Sequence, residues 1–121
     1  MENIEEGSLR GDCLFCLIAD GKIPAELILA NDSVVAFRDI APTAPTHVLV
    51  IPREHYSSAE EVAVRSPLLL AEMVRVAAQV STLDGLEGYR IIFNTGAIAG
   101  QSIFHAHLHL LGGRPLQWPA G

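Results

Sequence analysis

The chain has no cluster of basic residues, no apolar run long enough to cross a membrane, and almost no cysteine. Its eight Lys and Arg fall singly along 121 residues, against fourteen Asp and Glu, for a formal net charge of −6. Nucleic acid polymers are held by a clustered basic face that displaces counterions. That class of partner is therefore excluded. No apolar run approaches the ~20 residues that span a bilayer, and the amino-terminal MENIEEGSLRGD is acidic and polar, unlike a secretory signal. The expected compartment is the reducing cytoplasm. Charged residues make up only 18% of the chain and hydrophobic ones 50%, which excludes a disordered polymer. Two cysteines cannot frame a disulfide scaffold. Cys13 and Cys16 are spaced CxxC, which in a reducing compartment reads as a metal half-site or redox pair before a structural disulfide.

What is present fits one domain. Residues 1–11 read as a flexible tail and 12–121 as a single folded unit, apolar enough (mean hydropathy +0.32) to favour a homodimer that hides part of its surface. Asp12 is placed to cap a short helix over 13–19, with Gly21 as its stop. Residues 26–30 and 33–38 form two short runs split by Asn31-Asp32, a hairpin signature. Residues 39–46 contain Pro42 and Pro45 and read as a loop. HVLVI at 47–51, stopped by Pro52, reads as a strand. Ser66-Pro67 opens the one long helix. Within it Leu69, Met73, Val76, Ala77 and Val80 recur at three- and four-residue steps, the face of a helix that covers a sheet. Asp84-Gly85 ends it. Further strands are expected at 89–93 and 103–111, with a Gly-containing loop at 94–102 between them. The fold class is α+β: about five antiparallel strands, one long helix and a short N-terminal helix.

Three of the five histidines stand at 105, 107 and 109. In a strand over 103–111 the period of two puts His105, His107 and His109 on one face, with Phe104, Ala106, Leu108 and Leu110 turned into a core. The outer two are then about 13 Å apart, too far to share one ion from a straight strand. They could line one elongated site. Imidazole near neutrality serves as nucleophile, base, acid or ligand. The preceding loop carries Gly96, Gly100 and Ser102, where close-approaching backbone N–H groups form the sort of nest that takes a phosphate.

The segment His105-Ala106-His107-Leu108-His109-Leu110-Leu111 fits His-φ-His-φ-His-φ-φ and resembles the histidine triad (HIT) superfamily of nucleotide hydrolases and transferases. Ala-Gly-Gln-Ser before it and Leu-Gly-Gly-Arg…Trp-Pro-Ala-Gly after it resemble the Hint branch, the purine nucleoside phosphoramidases. Phe37-Arg38-Asp39-Ile40-Ala41-Pro42, Ala44-Pro45-Thr46-His47 and Val50-Ile51-Pro52 match the front half. The resemblance runs from about Cys13 to the C-terminus. It implies a dimer with a continuous sheet and hydrolysis of the P–N bond of a purine nucleoside 5′-phosphoramidate. His107 is then the nucleophile, forming a nucleotidyl-imidazole intermediate that water cleaves. His109 binds the phosphoryl oxygens and helps carry the proton to the leaving amine, and His47 supports the nucleophile. Ser102 and Asn94 contact the phosphate or leaving group, and the backbone of Gly100, Gln101 and Ser102 stabilises the added charge. Asp39 accepts from the ribose hydroxyls of an AMP-like ligand, which Phe15, Ile18, Ile23, Phe37 and Ile40 wall in. On sequence pattern alone Asp39 could equally cap its loop, and Phe15, Ile18 and Phe37 could be plain core.

The same resemblance implies a structural zinc ion at Cys13, Cys16, His55 and His105, leaving catalysis itself without a cofactor. Two buried thiols one helical turn apart are the competing reading of the cysteines. Three other functions compete: dinucleoside polyphosphate hydrolysis with the same nucleophile, a non-enzymatic nucleotide-binding or regulatory module, and a single catalytic metal centre built from HxHxH and CxxC.

Overall fold

The structure, a computed structural model, describes residues 13–121. Asp12 and the expected tail at 1–11 lie outside the described residues. Chain order is α1 (Leu14–Ala19), β1 (Leu27–Ala30), β2 (Val34–Arg38), β3 (Thr46–Pro52), α2 (Ala59–Arg65), α3 (Pro67–Leu83), β4 (Tyr89–Ile92), a 3-10 turn (Ala97–Ala99) and β5 (Leu108–Gly112). The five strands form one sheet in the order β1-β2-β3-β5-β4, and every pair is antiparallel. The α+β class is therefore the observed one. No helix among the described residues is long and apolar enough to cross a membrane.

β3 explains the architecture. All seven of its residues are buried, because it is central in the sheet and covered on both faces. Val48 and Val50 join Val34, Ala36, Leu108 and Leu110 on one face, where Met73, Val76, Ala77 and Val80 of α3 sit on them. Each such buried aliphatic side chain contributes about 1.5–3 kcal/mol. Leu49 and Ile51 face the other way, with Val35 and Phe37, beneath α1 and its Phe15, Cys16 and Ala19. The uninterrupted run HVLVI is what a strand buried on both faces requires.

Asn31 makes the first hairpin, its Oδ1 accepting the N–H groups of Ser33 and Val34 at 2.9 Å each. α3 starts at Pro67 as expected, although the Ser66 side chain makes no cap bond. Its far end is pinned. Arg38 donates twice to the Asp84 carboxylate at 2.7 and 2.9 Å, and the Thr46 hydroxyl donates to the same group at 2.8 Å. These bonds hold Asp84 below the usual carboxylate range and tie the end of α3 to the exit of β2 and the start of β3.

Three local expectations are corrected, and one element is added. The cap of α1 is Cys13, whose sulfur accepts the Cys16 N–H at 3.4 Å, rather than Asp12. α2 is an element the sequence reading did not include; Ser58 caps it and Glu61, three residues on, reaches back to the Ser57 N–H at 2.6 Å. The last strand begins at Leu108, not at 103. Its ladder with β3 stops at the pair Val50–Leu108; beyond it the Ala106 N–H goes to Tyr56 O at 2.7 Å. Phe104, finally, is only half-buried and lies outside the core that Ala106, Leu108 and Leu110 enter.

Candidate functional site

β3 and β5 set out the site. The register pairs Leu49 with His109 and His47 with Leu111, so His47 and His109 are diagonal neighbours on one face of the sheet. Their rings meet, with His47 Nε2 3.0 Å from His109 Nδ1. The His107 ring lies 5.0 Å from that of His109, and Phe15 stands edge-on to His107 at 5.0 Å. His105 turns elsewhere. Its buried ring points to the two cysteines, with Nδ1 3.3 Å from Cys13 Sγ and 3.4 Å from Cys16 Sγ. The triad thus divides between two clusters rather than lining one elongated site.

The hydrogen bonds fix where protons sit. His107 Nδ1 is 2.8 Å from the carbonyl oxygen of His105. A carbonyl only accepts, so Nδ1 carries the proton and Nε2 keeps its lone pair. The Thr43 N–H donates to His47 Nδ1 at 3.1 Å, so the His47 proton is on Nε2. That proton faces His109 Nδ1 and, at 3.4 Å, Asp39 Oδ2. His109 then accepts at Nδ1 and carries its own proton on Nε2. Burial lowers the His107 pKa below its ordinary 6.5, opposed by the His105 carbonyl and Asp39. Burial first, then the neighbouring His107 and His47, lowers His109 to about 4.

This last shift has a consequence for stability. Between pH 6.5 and about 4 the unfolded chain protonates His109 while the folded chain does not, so stability falls as pH falls through that window. The loss is roughly 2 kcal/mol after allowance for part exposure to water. Urea unfolding at pH 7 and pH 4.5 should show it, and His109→Asn should flatten that part of the pH dependence. An unchanged slope in the variant would disprove the assignment.

The loop before β5 is closed on itself. The amides of Ala99 and Gln101 donate to Gly96 O, that of Gly100 to Ala97 O, and that of Gly96 to Gln101 Oε1 at 2.9 Å. The buried Gln101 side chain also donates to Ser57 O and Ile103 O at 2.7 and 3.1 Å. The amides of Gly100 and Gln101 are thus engaged by the turn, and Gln101 is a staple that fastens this loop to the one before α2. Ser102 is exposed and Asn94 is half-buried at the root of the loop.

Asp39 caps its loop and also faces the histidines. Its Oδ1 accepts the Ala41 N–H at 2.8 Å, while Oδ2 reaches toward His47. Phe15 and Phe37 are buried core residues in edge-to-face contact at 5.7 Å. Ile18 and Ile23 are half-buried, and Ile40 projects entirely into solvent. Sequence reasoning missed Thr43, which acts through its backbone amide and so leaves no side-chain signal.

The second cluster is Cys13, Cys16, His55 and His105, whose four ligand atoms all lie within 4.8 Å of one another. His55 Nδ1 is 3.3 Å from Cys16 Sγ. The His105 Nε2–H donates to Pro52 O at 2.8 Å, which leaves Nδ1 to coordinate, the usual outer-shell arrangement for a ligating histidine. A tetrahedral ion with bonds of about 2.0–2.3 Å needs sulfur and nitrogen ligands roughly 3.3–3.8 Å apart. The donor set therefore fits a metal ion.

Comparisons agree with this geometry. The family model described as the HIT domain matches residues 20–116. An uncharacterised HIT-like protein of Synechococcus elongatus is 41% identical over 111 residues, covering 91% of this chain and 97% of the relative. The purine nucleoside phosphoramidase of Escherichia coli K12 is 41% identical over 107 residues, 87% of this chain and 90% of the relative. Among solved structures, a HIT family hydrolase from Legionella pneumophila superposes with a TM-score of 0.86 at 45% identity, covering 90% and 99% of the two chains. With this match to the family's sequence and fold, the chain belongs to the HIT family.

Proposed function

We propose that the protein hydrolyses the P–N bond of purine nucleoside 5′-phosphoramidates through a covalent intermediate on His107. One observation carries the reading: the bond from His107 Nδ1–H to the His105 carbonyl reserves the Nε2 lone pair for attack. The low pKa of a desolvated imidazole keeps that lone pair available at neutral pH. In the first step the Nε2–P bond forms and the P–N bond breaks, the leaving nitrogen taking a proton passed along His109. Water then attacks phosphorus, the Nε2–P bond breaks, and the proton the water gives up restores the balance. His109 Nε2–H donates to a phosphoryl oxygen, in an orientation held by His47. Asn94 and the Ser102 hydroxyl bind the remaining phosphate oxygens or the leaving group. A carboxylate has about four acceptor positions, so Asp39 can hold its own turn and still accept from ribose hydroxyls. Ile18, Ile23 and Ile40 cover the base above the Phe15–Phe37 floor.

The name of the E. coli relative supports this substrate class. The reading includes a homodimer joined through a sheet edge and residence in a reducing compartment that preserves the thiols. It also assigns zinc to the Cys13, Cys16, His55 and His105 cluster, where Cys₂His₂ is a ligand set typical of structural zinc. There zinc would fasten α1 to the sheet, and no chemical step requires it.

The test compares turnover of adenosine 5′-phosphoramidate and of a dinucleoside polyphosphate, with a chelator present. Faster turnover of the phosphoramidate is expected. Preference for the polyphosphate would move the protein to the sister activity, tight nucleotide binding without turnover would make it a binding module, and loss of activity in chelator would revive a catalytic metal.

A further inference from the structure

We propose that Arg114 is a positioning residue for the His47–His109 pair, acting through Thr43. The inference rests on the roles given above to His47 and His109. The His47 ring keeps its proton on Nε2 because the Thr43 N–H occupies Nδ1 at 3.1 Å, with the Thr43 hydroxyl 3.4 Å away. That amide belongs to the loop between β2 and β3, which is held at its start by the Asp39 N–H on His47 O at 3.0 Å and the Ala41 N–H on Asp39 Oδ1 at 2.8 Å, and near its end by the buried Ala44. The segment leaving β5 adds a restraint on Thr43 itself.

Three successive residues of that segment meet the loop. Gly112 pairs with Thr46 at the end of the ladder. Gly113 follows with φ +93°, lying so close that a Cβ there would come within 2.8 Å of Pro45 Cβ. Arg114 Nη2 then donates to Thr43 O at 3.0 Å, while Nη1 donates to Pro115 O at 3.0 Å. A guanidinium is always charged, and its bond to a carbonyl is stronger than one between neutral groups. Arg114 thus fixes the residue whose amide selects the His47 tautomer. The tautomer in turn presents a donor to His109 Nδ1 and leaves the His109 proton on Nε2. Without that bond the Thr43 amide swings, both His47 tautomers become populated, and the His109 proton loses its fixed place. Binding of nucleotide, which Arg114 does not touch in this scheme, is spared.

The experiment follows kcat, KM and the ¹⁵N imidazole signals of His47 in wild type, Arg114→Ala and Arg114→Lys. Wild type should show His47 Nδ1 unprotonated and Nε2 protonated. In Arg114→Ala the two nitrogens should move toward averaged signals, with kcat lowered about five- to tenfold and KM changed less than about twofold, the size expected for loss of orientation rather than of binding. Arg114→Lys retains a charged donor and should restore much of both. An Arg114→Ala protein, folded by its own amide spectrum, with His47 signals unchanged would overturn the proposal whether or not kcat falls. Failure of wild type to turn over phosphoramidates would instead sink the proposed function, while the His47 signals would still decide the role of Arg114.

Discussion

Replacing His107 by alanine will lower phosphoramidate turnover by roughly three orders of magnitude or more, since a covalent nucleophile has no substitute within reach. His107 is half-buried against Phe15 and His109, so truncation also costs about 1–2 kcal/mol of stability. That loss leaves most molecules folded at room temperature and cannot account for a thousandfold effect. Rapid quenching of wild type with substrate should trap a nucleotide mass on the peptide containing His107. A variant that retains activity within tenfold of wild type, or an adduct on another residue, would refute the covalent role. His109→Ala should be less severe because its contribution is a hydrogen bond and a proton path. The order of the two effects therefore tests the division of labour as well as the chemistry.

The second large effect concerns the cysteine cluster. Purified protein should carry about one zinc per chain, and a strong chelator or Cys16→Ala should lower the melting temperature by roughly 10 °C. That corresponds to about 3 kcal/mol for a domain of this size, a modest figure for a structural metal because the sheet retains its other core. The physical reason is local. α1 is six residues long and is capped by a sulfur, too short to persist without an anchor. Phe15 rides on this helix between His105 and His107, at 5.9 and 5.0 Å, and the His105 carbonyl orients His107, the proposed nucleophile. Metal loss should therefore slow turnover as well, though far less than His107→Ala. Metal-free protein whose melting temperature ignores the chelator would show the four side chains to be a hydrogen-bonded cluster of thiols and imidazoles.

Much of the fold was legible from local pattern. HVLVI announced a strand, Asn31-Asp32 a hairpin, and the spacing of Met73, Val76, Ala77 and Val80 a helix lying on the sheet. α2 was legible too: Ser58 followed by Glu61 is a capping signature. The start of β5 was not. Alternation through His105, Ala106 and His107 persists in extended chain whether or not a neighbouring strand pairs with it. Pairing depends on β3, which ends at Pro52, a residue without an N–H to donate. The Pro52 carbonyl accepts from His105 instead.

By itself the sequence determined which residues are candidates for the chemistry, because imidazoles at alternate positions, a CxxC and a Gly-bounded loop are recognisable wherever they fold. Only the tertiary structure decided the contacts among them. It brought His105, which the resemblance had grouped with the cysteines, within 3.4 Å of both sulfurs, set the His107 ring beside that of His109, and closed the Gly96–Gln101 turn on its own amides. It also made a backbone N–H of Thr43, held by Arg114, the group that sets the protons of the site. The His107 and His47 protons are set by partners two and four residues away, but the contacts that join the site span 62 residues for the His47–His109 pair and 71 for Arg114 and Thr43. No local pattern encodes contacts at that range.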